Sequence, residues 1–477
     1  MKKETEKKPG QAKETKGQQL AEALLYQPKH IMDSAPKTQK KAFAFCEDYK
    51  AFLDAAKTER EAATEIVRRL QAAGYKELDT KAKYKAGDKL YYENRGKSVL
   101  CATIGKKSLA EGAHLMIAHI DSPRLDLKPN PLYEDSDLSL FKTHYYGGLR
   151  KYQWGATPLS LHGIVIKKDG TSVTIRVGED AGDPVFCVTD LLPHLAGEQG
   201  KRSLNDGLKG EELNILVGSL PFADDEVKDR VKLYTMQLLN EKYGITERDF
   251  TRAEIEAVPA QKAVDVGFDR SMIGAYGHDD RVCAYTALMA ELGTTLPEFT
   301  SVCVLTDKEE VGSDGATGLQ SDYTFHFLRR LANAQGADYI TMLQRSKCLS
   351  ADVNAAFDPT FPDVLERMNA AYLNRGVVVT KYTGSRGKYD TNDACAEMMG
   401  YVTNLLDAEK VQWQTGELGK VDVGGGGTIA KYVANRDIDV VDIGVPMLSM
   451  HAPFELVAKL DVYMTYKAFA AFAGAQA

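Results

Sequence analysis

Apolar residues recur at helical spacing through "KAFAFCEDYKAFLDAAKTEREAATEIVRRLQAAG", from about residue 40 to 74, which predicts two helical segments closing at Gly74. The pattern then turns to β-rich runs. "SVLCATIG" (98–105) and "HLMIAHI" (114–120), separated by a polar connection, predict strands of one sheet. From about residue 131 to 254 the texture changes to short alternating segments punctuated by glycine, as in "YYGGL", "LSLHGIVIKKDGTSVTIRVGED" and "PVFCVTDLLPHL". "KKDGTSVTI" predicts a hairpin with Asp169-Gly170 at its turn. The α/β pattern resumes with "AEIEAVPAQKAVDVGFD", the helix "RVCAYTALMAELG" and the strand "TSVCVLTD", and continues to the carboxyl terminus. The middle of the chain therefore reads as a β-rich insertion into an α/β domain.

Composition narrows the class. At 477 residues the chain exceeds what one core organises, so two domains are expected. Hydrophobic residues at 44% and charged residues at 27% match an ordinary globular protein. A net charge of −7 without a basic cluster argues against a nucleic-acid binder. Seven scattered cysteines without a C-x-x-C pair predict reduced, mostly buried thiols. "MKKETEKKPGQAKETKGQQ" is charged and followed by no apolar run, so residues 1–35 are expected as a poorly ordered tail, the location as cytoplasmic, and no membrane partner.

Candidate chemistry gathers where apolar runs end. "AHIDSP" (118–123) brings His119 and Asp121 to the carboxyl end of a strand, two apart and so able to share a side, as a metal-ligating imidazole and its orienting carboxylate would. In "GAYGHDDRVCAYTAL", His278, Asp279 and Asp280 meet a helix start, where one Asp is explained as an N-cap. "VCVLTDKEEVGSDGATG" sets Glu309 and Glu310 after a strand, where open α/β sheets put their active sites. "CLSADVNAAFDP" brings out Asp352, and "VPMLSMHAPFEL" brings out His451. Imidazoles and carboxylates without cysteine suit a catalytic pair of borderline divalent ions more than a closed structural site.

From about residue 40 onward the chain resembles the aspartyl aminopeptidase and vacuolar aminopeptidase I family, especially its bacterial members. The resemblance rests on "AHIDSPRLDLKP", "TDKEEVGSDGATG", "SADVNAAFDP", "KYTGSRG", "GGGGTIA" and "MLSMHAPFE", all in the family's order. It implies a three-layer α/β/α metallopeptidase domain (36–133 and 255–477) with an inserted β-rich dimerisation domain (134–254). It also implies two divalent ions, zinc foremost, with manganese or cobalt as alternatives. His119 and Asp352 would be terminal ligands of the separate ions, Asp279 the bridge, Glu310 and His451 the completing ligands, and Glu309 the general base. Asp121 would assist catalysis. The resemblance further implies a cis peptide after the bridging aspartate and a tetrahedral homododecamer built from dimers. A histidine donated to a neighbouring site would be His194 in "LLPHLAG". The aspartyl branch follows its "YGGG" region with a tryptophan and an Asp-Arg-Asp-like stretch. Here the chain reads "YYGGLRKYQWGATPLSL", which leaves the preferred amino-terminal residue open.

The expected activity is hydrolysis of amino-terminal peptide bonds in peptide substrates. The tetraglycine at 424–427 lacks a P-loop ending, so Gly425 and Gly426 are assigned to a substrate-lining backbone. Arg386 and Lys388 in "KYTGSRGK" are candidates to meet an acidic side chain. The alternatives are a deacylase or carboxypeptidase, which would need an arginine-based carboxylate site, and a non-catalytic shell protein, which would have lost the ligands.

Overall fold

Four strands buried along nearly their whole length, Thr300–Thr306, Ala113–His119, Lys347–Ala351 and Asp439–Gly444, lie side by side and parallel in a nine-stranded sheet. Such continuous apolar strands are stable only when both faces are covered. Met116, Ala118, Cys303 and Leu305 face one side, in a core with the helices Thr38–Ala55, Glu59–Ala72, His278–Gly293, Ala396–Ala408 and Lys459–Ala473. Leu115, Ile117, Val302 and Val304 face the other, against Tyr323–Gln335, Tyr339–Arg345 and Ala430–Ala434. The result is a three-layer α/β/α arrangement. Its register sets Thr306 opposite His119 and Ala351 opposite Ile443, so the carboxyl ends of the central strands emerge at one edge.

This computed structural model describes residues 15–476. The helical pair expected before Gly74 is present as Thr38–Ala55 and Glu59–Ala72, and Gly74 takes φ +85°. Of the segment expected as a tail, residues 1–14 lie outside the described residues. The remainder is partly helical: Lys16–Leu24 starts from a capping box between Thr15 and Gln18, a local signal strong enough to order a helix with no buried residue. Among the described residues no helix is long and apolar enough to cross a membrane.

The middle of the chain folds differently from the expectation. Its sheet runs Ala253–Pro259, Arg124–Asp135, Leu138–Tyr146, Ile215–Gly218, Phe186–Val188, Pro158–Ile166, Ser172–Val177, and Ala253–Pro259 also pairs with Pro158–Ile166. Six strands thus close into a small barrel, with Ser172–Val177 as an outer hairpin strand. Closure needs Gly163, where a Cβ would stand 2.0 Å from the carbonyl O of Glu254. The hairpin turn is at Asp169-Gly170, with Lys167 and Thr171 joined across it. The barrel has a core of its own, which encloses Trp154, Leu159, Val188, Leu213, Ile215 and Ala257. Its border strands also reach beyond 134–254 on both sides. A third sheet, of Val264–Val266, Met272–Ala275, Glu455–Ala458, Pro446–Leu448 and Asn354–Ala355, stands beside the emerging strand ends.

Candidate metal centre

His119 is the last residue of a central strand, and Glu309 and Glu310 follow its parallel neighbour after one turn. Asp352 follows the strand on its other side. Asp279 and His451 arrive from the third sheet, one after Met272–Ala275 and the other after Pro446–Leu448. Five of these side chains, His119, Asp279, Glu310, Asp352 and His451, therefore converge at one edge of the main sheet.

They form two groups that share Asp279: His119, Asp279 and Asp352, and Asp279, Glu310 and His451, with the donor atoms of each group within 4.8 Å of one another. His119 Nε2 lies 3.3 Å from Asp279 Oδ1 and 3.9 Å from Asp352 Oδ1. His451 Nε2 lies 3.1 Å from Asp279 Oδ2 and 3.6 Å from Glu310 Oε2. Each carboxylate oxygen of Asp279 thus faces a different imidazole. The Asp279-Asp280 peptide is cis, as the resemblance implied. Glu309 belongs to neither group.

The surroundings orient these donors. Asp121 is fully buried; its Oδ1 and Oδ2 accept from the backbone N–H groups of Glu309 (3.1 Å) and Glu310 (3.2 Å), and Oδ2 also accepts from the Tyr146 hydroxyl (2.8 Å). Its Oδ1 and carbonyl O lie 3.3 and 3.1 Å from His119 Nδ1, which leaves Nε2 facing the cluster. On the other side, the Gly148 carbonyl accepts from His451 Nδ1 at 2.7 Å. Glu455 accepts from the backbone N–H groups of Asp279 (3.1 Å) and His451 (2.7 Å). Tyr146, Gly148 and Glu455 were not among the candidates. Glu455 carried a signal as the last residue of "MHAPFE", and Tyr146 and Gly148 lie in the "YYGGL" stretch quoted above without being assigned a role.

The electrostatics fit a bound cation. Burial, followed by the charge of Asp279, pushes Glu310 well above the usual carboxylate range, and burial does the same to Asp352. Glu310 Oε1 is buried without a hydrogen-bond partner. Divalent ions of the zinc kind would remove this penalty, and the imidazole and carboxylate donors suit them. Burial raises Glu309 to about 7, which a nearby cation would pull back down. Asp121 is held below its ordinary value because its bonds to His119 and Tyr146 outweigh the effect of burial. His278 turns away into the core, bonded to Tyr49 (2.7 Å), and burial lowers it to about 3. Asp280 is buried without a partner, and burial raises it far above a carboxylate's usual range.

The remaining candidates lie apart from both groups. Gly425 packs so closely that a Cβ would sit 1.8 Å from Gly384 O, and Gly426 O accepts from Gly384 N at 2.7 Å. That loop is tied to the strand Asp439–Gly444 by Thr428, whose hydroxyl donates to Asp442 at 2.7 Å. Arg386 is exposed, and Lys388 pairs with Asp393 at 2.7 Å. His194 is exposed on the barrel's loop 189–198 and touches neither group of this chain.

Comparison with known proteins agrees in sequence and shape. Residues 52–473 match the family described as aminopeptidase I zinc metalloprotease (M18). The chain is 50% identical over 459 residues to a probable M18 family aminopeptidase 1 of Clostridium acetobutylicum, covering 94% of this chain and 98% of that protein. It is 47% identical over 431 residues to the corresponding protein of Thermotoga maritima, covering 89% and 94%. The crystal structure of an M18-family aminopeptidase from Thermotoga maritima superposes with a TM-score of 0.91 at 44% identity, over 94% of this chain and 99% of that one. The chain belongs to the M18 family of aminopeptidase I zinc metalloproteases.

Proposed function

We propose that this metalloaminopeptidase removes amino-terminal residues from peptides with two divalent ions, zinc foremost, held by His119 and Asp352 on one side, Glu310 and His451 on the other, and Asp279 between them. The observation that carries this reading is the division of Asp279 between two imidazoles, one on each carboxylate oxygen. Such a pair, when bound, would lower the pKa of a shared water and polarise the scissile carbonyl. Glu309 stands beside the cluster without joining either group, takes the water proton and delivers it to the leaving amine. Asp121 fixes the His119 ring and the Glu309-Glu310 backbone. The free α-ammonium of the substrate is held by the carboxylates around the ions, and the loops at 384–388 and 425–426 line the approach. The aminopeptidase names of the relatives at 47–50% identity favour this reading over a carboxypeptidase.

The same proposal assigns 36–133 and 255–477 to the catalytic domain and the barrel to self-association, in a homododecamer of dimers to which His194 contributes across subunits. A structure titled as the mApe1 dodecamer of S. cerevesiae shares the fold, with a TM-score of 0.72 at 21% identity. Free cysteines, five of the seven buried, suit a reducing cytoplasm. The test is Glu309→Gln. It should keep wild-type zinc content by elemental analysis and lose about 10²- to 10⁴-fold in kcat on aminoacyl p-nitroanilides. Undiminished turnover would remove Glu309 as the base.

A further inference from the structure

The end of the barrel strand Leu138–Tyr146 lies against both donor groups at once. The Tyr146 hydroxyl donates to Asp121 Oδ2 at 2.8 Å, and Asp121 in turn braces His119. The next residue, Gly147, has φ +75°, and a Cβ there would stand 3.2 Å from Glu310 Cβ and 3.3 Å from Glu310 Oε2. Gly148 offers its carbonyl to His451 Nδ1 at 2.7 Å, and a Cβ on it would meet the same ring nitrogen at 3.4 Å. Three consecutive residues from the second sheet therefore touch a ligand, or a ligand's brace, of each proposed ion. The segment is itself anchored: the Arg124 guanidinium lies 3.9 Å from the centre of the Tyr146 ring and is bound by Asp126, with Glu59 and Glu256 within 3.3 Å. That arginine opens the first strand of the barrel, so the barrel's attachment and the metal donors share one set of contacts.

We infer that Tyr146-Gly147-Gly148 is a positioning clamp through which the barrel orients the donors of both ions: Tyr146 acts through Asp121 on His119 and on the Glu310 backbone, Gly147 and Gly148 act on Glu310 and His451. The inference rests on the ligand assignment proposed above. It gives "YYGG" a physical reason: a hydroxyl long enough to reach Asp121, then two residues without side chains where Glu310 and His451 already fill the space. The three residues act through Asp121, Glu310 and His451.

The experiment is stepwise zinc release from the full-length enzyme in competition with a coloured chelator, which yields one affinity for each ion. Tyr146→Phe should weaken both ions, by up to about 10- to 100-fold, the scale seen when an outer partner of metal ligands is removed. Gly147→Ala should weaken only the ion held by Glu310 and His451. Tyr145→Phe, one residue away, should change neither. His119→Ala and His451→Ala serve as references, each losing one ion outright. If both references lose an ion while Tyr146→Phe keeps both wild-type affinities, the clamp is wrong and the ligand assignment stands. Both references retaining two ions would overturn the ligand assignment and the clamp with it. Tyr146→Phe changes one oxygen atom, so an unchanged melting temperature separates loosened coordination from a folding defect if Gly147→Ala proves unstable.

Discussion

Asp279 is buried at the meeting of the two donor groups, and its neighbours explain why its loss should differ from that of any other residue. Its oxygens face His119 and His451 separately, and its backbone N–H is held by Glu455. Asp279→Ala should therefore abolish tight binding of both ions, measured as metal per chain after dialysis, whereas Glu309→Gln should retain both. Retention of one tightly bound ion by Asp279→Ala would contradict a bridging role. At this scale much of the site was legible, because His119, Glu309, Glu310, Asp352 and His451 each interrupt or follow an apolar run with a group that gains nothing from being there. Tyr146 and Gly148 were not legible. A tyrosine at the end of an alternating run reads as ordinary β propensity, and only the folded chain brings its hydroxyl to Asp121.

Between elements, the last helix is tied to the third sheet by a buried charge. Lys459, at the start of Lys459–Ala473, is 1% exposed and lies 2.8 Å from Asp265 on the strand Val264–Val266. Asp265 is shared with Lys50 of the helix Thr38–Ala55 (2.8 Å) and with Arg270 (2.8 Å). Burial would raise the Asp265 carboxyl, but Lys459, Lys50 and Arg270 outweigh it and hold the group below its ordinary value. The stability it contributes is therefore full above the unfolded value near 3.8 and is lost as pH falls below it. Asp265→Asn should cost roughly 3 kcal/mol at pH 7, because it removes the nearer counter-charge of buried Lys459 and leaves only Glu47 at 3.8 Å. Denaturant unfolding at pH 7 and pH 3 should show that cost shrinking in acid. An equal cost at both values would mean that packing, not charge, joins the helix to the sheet. Helices and central strands were readable from periodicity alone, as the pair closing at Gly74 shows. The helix Lys16–Leu24 was missed because its start depends on a reciprocal cap and its sides meet no core.

Across the whole molecule, the barrel changes the argument for assembly. Closure removes most strand edges and leaves Ser172–Val177 paired on one side only. What remains exposed is apolar: Leu191, Leu192, Leu195 and Leu204 are each at least half exposed on the loops that follow Phe186–Val188. Such surface marks an interaction site, and self-association is the proposed use. Wild-type protein at micromolar concentration should scatter light as a particle many times 52.5 kDa, and a variant with Leu191, Leu192 and Leu195 replaced by Ser should fall toward small species. His194 lies in the same loop, so that variant should also lose activity if the histidine serves a neighbouring site. A wild-type monomer with full activity would end both expectations.

The sequence by itself determined the α/β alternation, the break in texture through the middle of the chain, and the positions of the candidate metal donors. These depend on local periodicity and on residue types that stand out from their neighbours. Their order along the chain was enough to place it beside a known family. The tertiary structure decided how the middle closes, because Ala253–Pro259 pairs with strands on both sides, more than 80 positions earlier in the chain. It also decided which polar groups brace the donors. A hydrogen bond between Tyr146 and Asp121, or between His451 and Gly148, joins residues whose local patterns say nothing of each other. Such contacts come from the packing of barrel against sheet, which is a property of the folded surfaces rather than of any segment.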